Sequence, residues 1–101
     1  MRVPDELFRE VYGAARRGPA DDGLAQRMVD RAMELTVFLR LAVQAEDVEA
    51  RERWAVRCRE SLRGLQCCVL LARDRGWLES TALLDLIVEE VEALLAEVLS
   101  N

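Results

Sequence analysis

The stretch "LRLAVQAEDVEARERW", residues 39–54, decides whether this chain folds as one long rod or as a hairpin. Upstream of it and into it, Ala25, Met28, Ala32, Leu35, Leu39 and Ala42 recur at alternating intervals of three and four, the rhythm of a helix that lays one apolar stripe into a bundle. Downstream, Ala55, Cys58, Leu62, Leu65, Val69 and Ala72 keep the same rhythm, flanked by Trp54. Continuing the first stripe past Ala42 lands on Glu46, Glu49 and Arg53, so the two stripes are out of phase by about two residues, roughly 200° of helix rotation. A continuous helix would split its apolar face. The stretch therefore predicts a tight turn near Ala45–Val48, with Asp47 as N-cap and Glu49 in the first turn of the next helix, although it contains neither Gly nor Pro.

Working outward, the segment "PDELFREVYGAARR" predicts a first helix capped by Asp5, with Leu7, Phe8, Val11, Tyr12 and Ala15 along one face and Gly18-Pro19 as its stop. Asp21 or Asp22 opens the second helix. A fourth begins at Ser80 or Thr81 and repeats Leu84, Ile87, Val91, Leu94 and Val98, widened by Leu83, Val88, Leu95 and Leu99. Helices over about 5–17, 22–45, 48–75 and 80–100, each with a stripe to bury and short links between them, predict a single all-α domain, an up-down-up-down four-helix bundle.

The join between the third and fourth helices is "LLARDRGWLES", residues 70–80. Gly76 falls just past the last periodic residue, where a left-handed residue ends a helix, and Trp77 follows as the apolar residue that packs back on Leu71 and Ala72. Arg73 and Arg75 lie in the last turn, where cations suit the negative end of the helix dipole. Asp74, Gly76 and Trp77 thus read as a helix hinge, and a functional Asp74/Arg75 pair is the competing reading.

Composition narrows the function class. All fourteen basic residues are arginine, and the net charge of −5 is unevenly spread. Residues 1–45 balance, 46–50 carry −3, 51–76 carry +4 and 77–101 carry −6. A basic third helix beside an acidic fourth predicts charge pairing that sets their register. Histidine is absent, which removes the commonest general base and metal ligand, and no Glu-x-x-His motif of a di-iron bundle occurs. Cys58, Cys67 and Cys68 match neither a zinc nor a Cys-x-x-Cys redox spacing and read as small hydrophobes, with a reactive thiol as the alternative. Nothing calls for a cofactor, and the expectation is a protein that is not an enzyme. The segment "MRVPDELFRE" lacks the apolar core of a signal peptide, and no apolar run is long enough to span a membrane, so a cytoplasmic location is expected.

The segments "SLRGLQCCVLLARDRGWL", "LLDLIVEEVEALLAEVL" and "ELTVFLRLA" resemble the bacterial four-helix-bundle family that contains the ribosomal intervening-sequence proteins and the accessory variability determinant (Avd) of diversity-generating retroelements. The similarity covers roughly residues 22 to 100, and its sharpest piece is Leu71-Ala72-Arg73-Asp74-Arg75-Gly76-Trp77-Leu78. It implies a non-enzymatic bundle that assembles into a homo-oligomeric ring, typically a pentamer, and in the retroelement branch serves a reverse transcriptase and its RNA as an accessory.

Two surfaces on the chain suit that picture. Residues 35–45 are apolar nearly all round, so a monomeric bundle seam cannot cover Leu35, Val37, Phe38, Leu41 and Val43 together. On the third helix Gly64, Cys67, Cys68 and Leu71 form a strip of mostly small residues that a second helix could approach closely. A larger intramolecular core is the alternative for both, whereas two different patches meeting between copies would make a head-to-tail contact that closes into a ring. Nucleic-acid or partner contact would rest on Arg53 with Arg57 and Arg59 with Arg63, each pair one turn apart. Glu52 and Glu60 interrupt them, no aromatic residue offers a stacking platform, and the negative net charge does not favour RNA.

Overall fold

The computed structural model describes residues 2–17, 23–78 and 80–100, with side chains excepted at 2–8 and at Leu83. Four α-helices follow one another, α1 (Arg2–Ala15), α2 (Gly23–Gln44), α3 (Val48–Asp74) and α4 (Ala82–Ser100), and the described residues contain no strand. The chain is elongated, 42 × 24 × 19 Å, because the 27 residues of α3 at about 1.5 Å rise each set its long axis.

The stretch at 39–54 is a turn. Asp47 is extended (φ −89°, ψ 135°) and its carboxylate accepts the Glu49 N–H at 3.2 Å, with Glu49 in the first turn of α3. A second device holds the corner without Gly or Pro. Arg51 folds back so that its Nε donates to the Ala45 carbonyl at 2.9 Å and its Nη2 to the Glu46 carbonyl at 3.0 Å, satisfying groups that the end of α2 leaves without helical partners. The two helices then run antiparallel: Cys58 meets Leu35, Ser61 meets Glu34, Gly64 meets Arg31 and Trp54 meets Phe38.

This hairpin is the most extensive helix pairing in the molecule. Along α2, Leu24, Met28, Ala32, Leu35, Leu39 and Ala42 are buried; along α3, Ala55, Cys58, Leu62, Leu65, Val69 and Ala72 are buried together with Ser61 and Cys68. Leu24 takes the first position in place of Ala25, which is half-buried, because Leu24 lies one turn before Met28. On α1, Val11 and Ala14 join the same core, and on α4 Leu84, Ile87, Val88, Val91 and Leu95 do.

Several expected details differ. α1 starts at Arg2, so Asp5 lies inside the helix rather than ahead of it; Pro4 is accommodated in the first turn, where no N–H is needed. Tyr12 is 46% exposed with the Arg16 guanidinium 5.9 Å from its ring centre, while Ala14 takes the core. The proposed caps at Asp21 and Asp22, the stop at Gly18-Pro19, and the Leu7, Phe8 and Leu83 side chains lie outside the described set. On α4 the stripe runs through Leu95, with Leu94 and Val98 partly buried at its margin. Eleven residues from Leu84 to Leu95 make about three turns of a straight helix, whereas ten to Leu94 fall short of that phase.

At the far end of α3, Gly76 has φ +81° and the described residues contain no other positive φ. The Trp77 N–H donates to the Ala72 carbonyl and the Gly76 N–H to the Arg73 carbonyl, both at 2.9 Å, which is a Schellman ending. Trp77 is buried at 8% exposure, the Arg75 guanidinium lies 5.7 Å from its ring centre, and Arg17 at the end of α1 donates to its carbonyl at 3.3 Å. α4 then opens on Thr81, whose carbonyl accepts the Asp85 N–H at 2.8 Å and whose hydroxyl bonds the Asp85 carboxylate at 2.9 Å; the Ser80 Oγ accepts the Ala82 N–H at 3.1 Å.

Candidate interaction surface

The two expected patches divide between core and surface. Leu35 is fully buried and Cys68 is 8% exposed, so both belong to the chain's own core and are not available to a second copy. Phe38 and Leu41 are half-buried, and Phe38 stacks on Trp54 with ring centres 5.9 Å apart. Gly64 is covered as well: a Cβ there would lie 3.0 Å from the Nε of Arg31, whose side chain crosses α3 at this point. The close approach that a glycine permits is used inside the hairpin. Val37 (51%), Val43 (42%), Leu71 (49%) and Cys67 remain exposed.

Arg31 is held where it crosses. Its Nη1 bonds both carboxylate oxygens of Glu34 at 3.0 and 3.1 Å, and the buried Ser61 hydroxyl donates to the same carboxylate at 3.1 Å. Beside this network a groove of about 320 Å³ runs between α2 and α3, lined by Arg31, Glu34, Phe38, Arg57, Glu60, Ser61 and Gly64. Two arginines and two glutamates leave it without a dominant charge. A smaller apolar crevice of about 90 Å³ separates α3 from α4 between Leu65, Val69, Leu84 and Val88.

The hinge residues gather at one end. Gly76 and Trp77 form the helix ending described above, and Asp74 is exposed with the Arg73 Nη2 3.6 Å away, a surface pair of the kind that contributes little.

Arg53, Arg57, Arg59 and Arg63 are all exposed, and no ion pair or hydrogen bond engages them among the described residues. Among the described residues no ion pair joins basic α3 to acidic α4. The ion pairs found among the described residues, Arg31–Glu34 and Arg73–Asp74, join near neighbours in sequence. α3 and α4 meet instead through apolar side chains, which turns the arginines of one and the acids of the other toward solvent. Leu70 (47%) and Val56 (52%) accompany the arginines on α3, and Leu86 (52%) stands among the acids of α4; sequence reasoning passed over these three, whose signal is an apolar residue off the stripe.

The cysteines are inert by placement, apart from Cys67. Cys58 is fully buried with its thiol 3.8 Å from the Leu35 carbonyl, and burial pushes its pKa from 9.0 to about 12 against the lowering pull of Arg59. Burial raises Cys68 too, opposed by Arg27 and Arg31. Among the described residues no cluster of Cys, Asp or Glu is arranged to hold a metal ion, and no helix is long and apolar enough to cross a membrane.

No protein-family model, curated protein or solved structure matches the chain.

Proposed function

We propose that the chain is a non-enzymatic scaffold, an up-down-up-down four-helix bundle that associates with copies of itself into a ring and serves a larger cytoplasmic partner, as Avd serves a reverse transcriptase and its RNA. The observation that carries the self-association is the set of large apolar side chains left about half exposed on three helices: Met33 and Val37 on α2, Val56, Leu70 and Leu71 on α3, and Leu86 on α4. Covering such surface yields about 25 cal/mol per Å², so a few hundred Å² per subunit provides a substantial drive. The antiparallel α2/α3 hairpin and the short joins on either side of α3 support the topology. The accessory role and the retroelement setting rest on the resemblance of the segments around 22–100.

Light scattering at micromolar concentration tests the reading. A mass several times that of the 11.5 kDa chain is expected, and a mass near 11.5 kDa overturns both ring and scaffold.

A second reading draws on one specific observation, the four exposed arginines Arg53, Arg57, Arg59 and Arg63, which form no ion pair among the described residues. In it α3 contacts nucleic acid directly, through phosphates.

A further inference from the structure

We propose that α2 pairs with the α2 of a second copy, antiparallel and across a two-fold axis centred at position 35. The proposal rests on the self-association reading and goes beyond the ring, since it names a contact that closes with two copies.

Opposite its buried stripe, α2 carries a second row at the same alternation of four and three: Gln26, Asp30, Met33, Val37, Arg40 and Gln44. All six are exposed, Met33 at 52% and Val37 at 51% although both are large and apolar. About position 35 the row reads alike from either end. Amides stand at 26 and 44, opposite charges at 30 and 40, and apolar side chains at 33 and 37. An antiparallel second copy centred there sets Met33 on Val37 and Asp30 on Arg40, each twice, as a two-fold contact requires. Asp30 accepts the Gln26 amide on Oδ1 at 2.8 Å, which leaves Oδ2 for a guanidinium. Arg40 already interacts within its own chain, and its five N–H donors accommodate a second acceptor.

The surroundings agree with this pairing. Val29, Thr36 and Val43 border the row on one side and are uncharged. The other ionisable side chains of α2, Arg27, Arg31 and Glu34, lie off the row toward α3: Arg31 and Glu34 bond each other, Glu34 accepts the Ser61 hydroxyl, and Arg27 and Arg31 act on the Cys68 thiol. The alternatives are worse. A parallel pair sets Asp30 on Asp30 and Arg40 on Arg40, and like charges in contact suppress pairing strongly. Sliding the antiparallel pair by seven residues either way puts Asp30 on Met33 or Arg40 on Val37, a charge against an apolar side chain.

The test uses charge reversals in the full chain, read by light scattering over a concentration series. Asp30→Arg and Arg40→Asp are each expected to weaken association by about tenfold or more, because each sets like charges at both ends of the contact. Both substitutions in one chain restore opposite charges at both ends and are expected to recover the parent's mass, as is a one-to-one mixture of the single variants. Circular dichroism checks that the variants stay helical, and Met33→Glu, expected to weaken association as much, replaces any that does not fold. A parent of two chains that falls to one in the variants supports the pairing and removes the ring; a larger assembly of even number that the variants halve supports both. An associated parent of odd subunit number, one whose mass the helical variants keep, or one whose helical double variant stays dissociated overturns the α2 pairing and leaves self-association standing. A parent that stays at the 11.5 kDa of one chain overturns both.

Discussion

Gly76 shows how much one residue decides. Its φ of +81° lies where side chains with a Cβ are strained, yet among the described residues nothing beyond its two chain neighbours lies within 4 Å of the position a Cβ would occupy. A substitution there is therefore a test of backbone strain without steric confusion. Gly76→Val is expected to lower stability by about 1–2 kcal/mol in urea denaturation, and Gly76→Asn by less, since asparagine tolerates this region. Equal midpoints for parent and valine variant would contradict the cap. Cys58 offers a second residue-scale test through pH. Its pKa stands raised, from 9.0 to about 12, so the folded state holds the proton after the unfolded state has released it. Stability is therefore unaffected below pH 9 and falls as pH climbs from 9 toward 12. The loss should approach about 1.4 kcal/mol per pH unit. Melting temperatures across that range should fall less steeply in Cys58→Ala, even though the variant starts lower for want of the buried sulfur. Parallel slopes for the two proteins would show that another group governs the alkaline limit.

Among the elements, the α2/α3 corner was legible because its signal was a phase conflict, which holds whatever surrounds it. Six stripe positions on α3 are buried as the spacing requires, and on α2 the spacing misses only in choosing Ala25 over Leu24. What the sequence did not carry was the Arg51 clamp, since an arginine four residues after an N-cap is ordinary until its side chain turns back. Arg51→Ala should destabilise the chain by about 1–2 kcal/mol, because two carbonyls lose a charged donor; Arg51→Lys should recover part of it. An unchanged urea midpoint for Arg51→Ala would remove the clamp from the account. The candidate surface was read less well for a related reason. Leu35 belonged at once to the stripe and to the supposed outer patch, and periodicity identifies apolar positions without saying whether its own chain or another covers them. Gly64 likewise looked like a landing place for a foreign helix until Arg31 was found across it. Which way a helix is turned about its own axis depends on all its neighbours at once. Tyr12 illustrates the same limit on the shortest helix, where one turn of stripe cannot fix the rotation.

At the scale of the whole molecule, charge is segregated rather than paired. Of the two helices that meet through leucines and valines, α4 presents only acids to solvent and α3 presents arginines interspersed with Glu49, Glu52, Glu60 and Asp74, and surface charge that is not neutralised locally acts over about a Debye length. Either a second copy or a nucleic acid could answer those arginines, and the two respond differently to mutation. Arg53→Glu with Arg57→Glu should abolish RNA binding by the protein alone, measured by anisotropy of a labelled single strand at about 50 mM salt. Binding by the parent that declines steeply with added salt would support the second reading, and a parent that does not bind under these conditions disposes of it.

The chain has two tryptophans, and they stand in different parts of the structure. Trp54 is half-buried against Phe38 within the α2/α3 hairpin; Trp77 is buried at the end of α3, beneath Arg75 and tied through its carbonyl to Arg17 just past α1. Their emission therefore reports separately on the hairpin and on the end where α1 and α4 join it. Single-tryptophan versions, Trp54→Phe and Trp77→Phe, turn the chain into its own optical probe, able to reveal whether the outer helices come away while the hairpin stays closed.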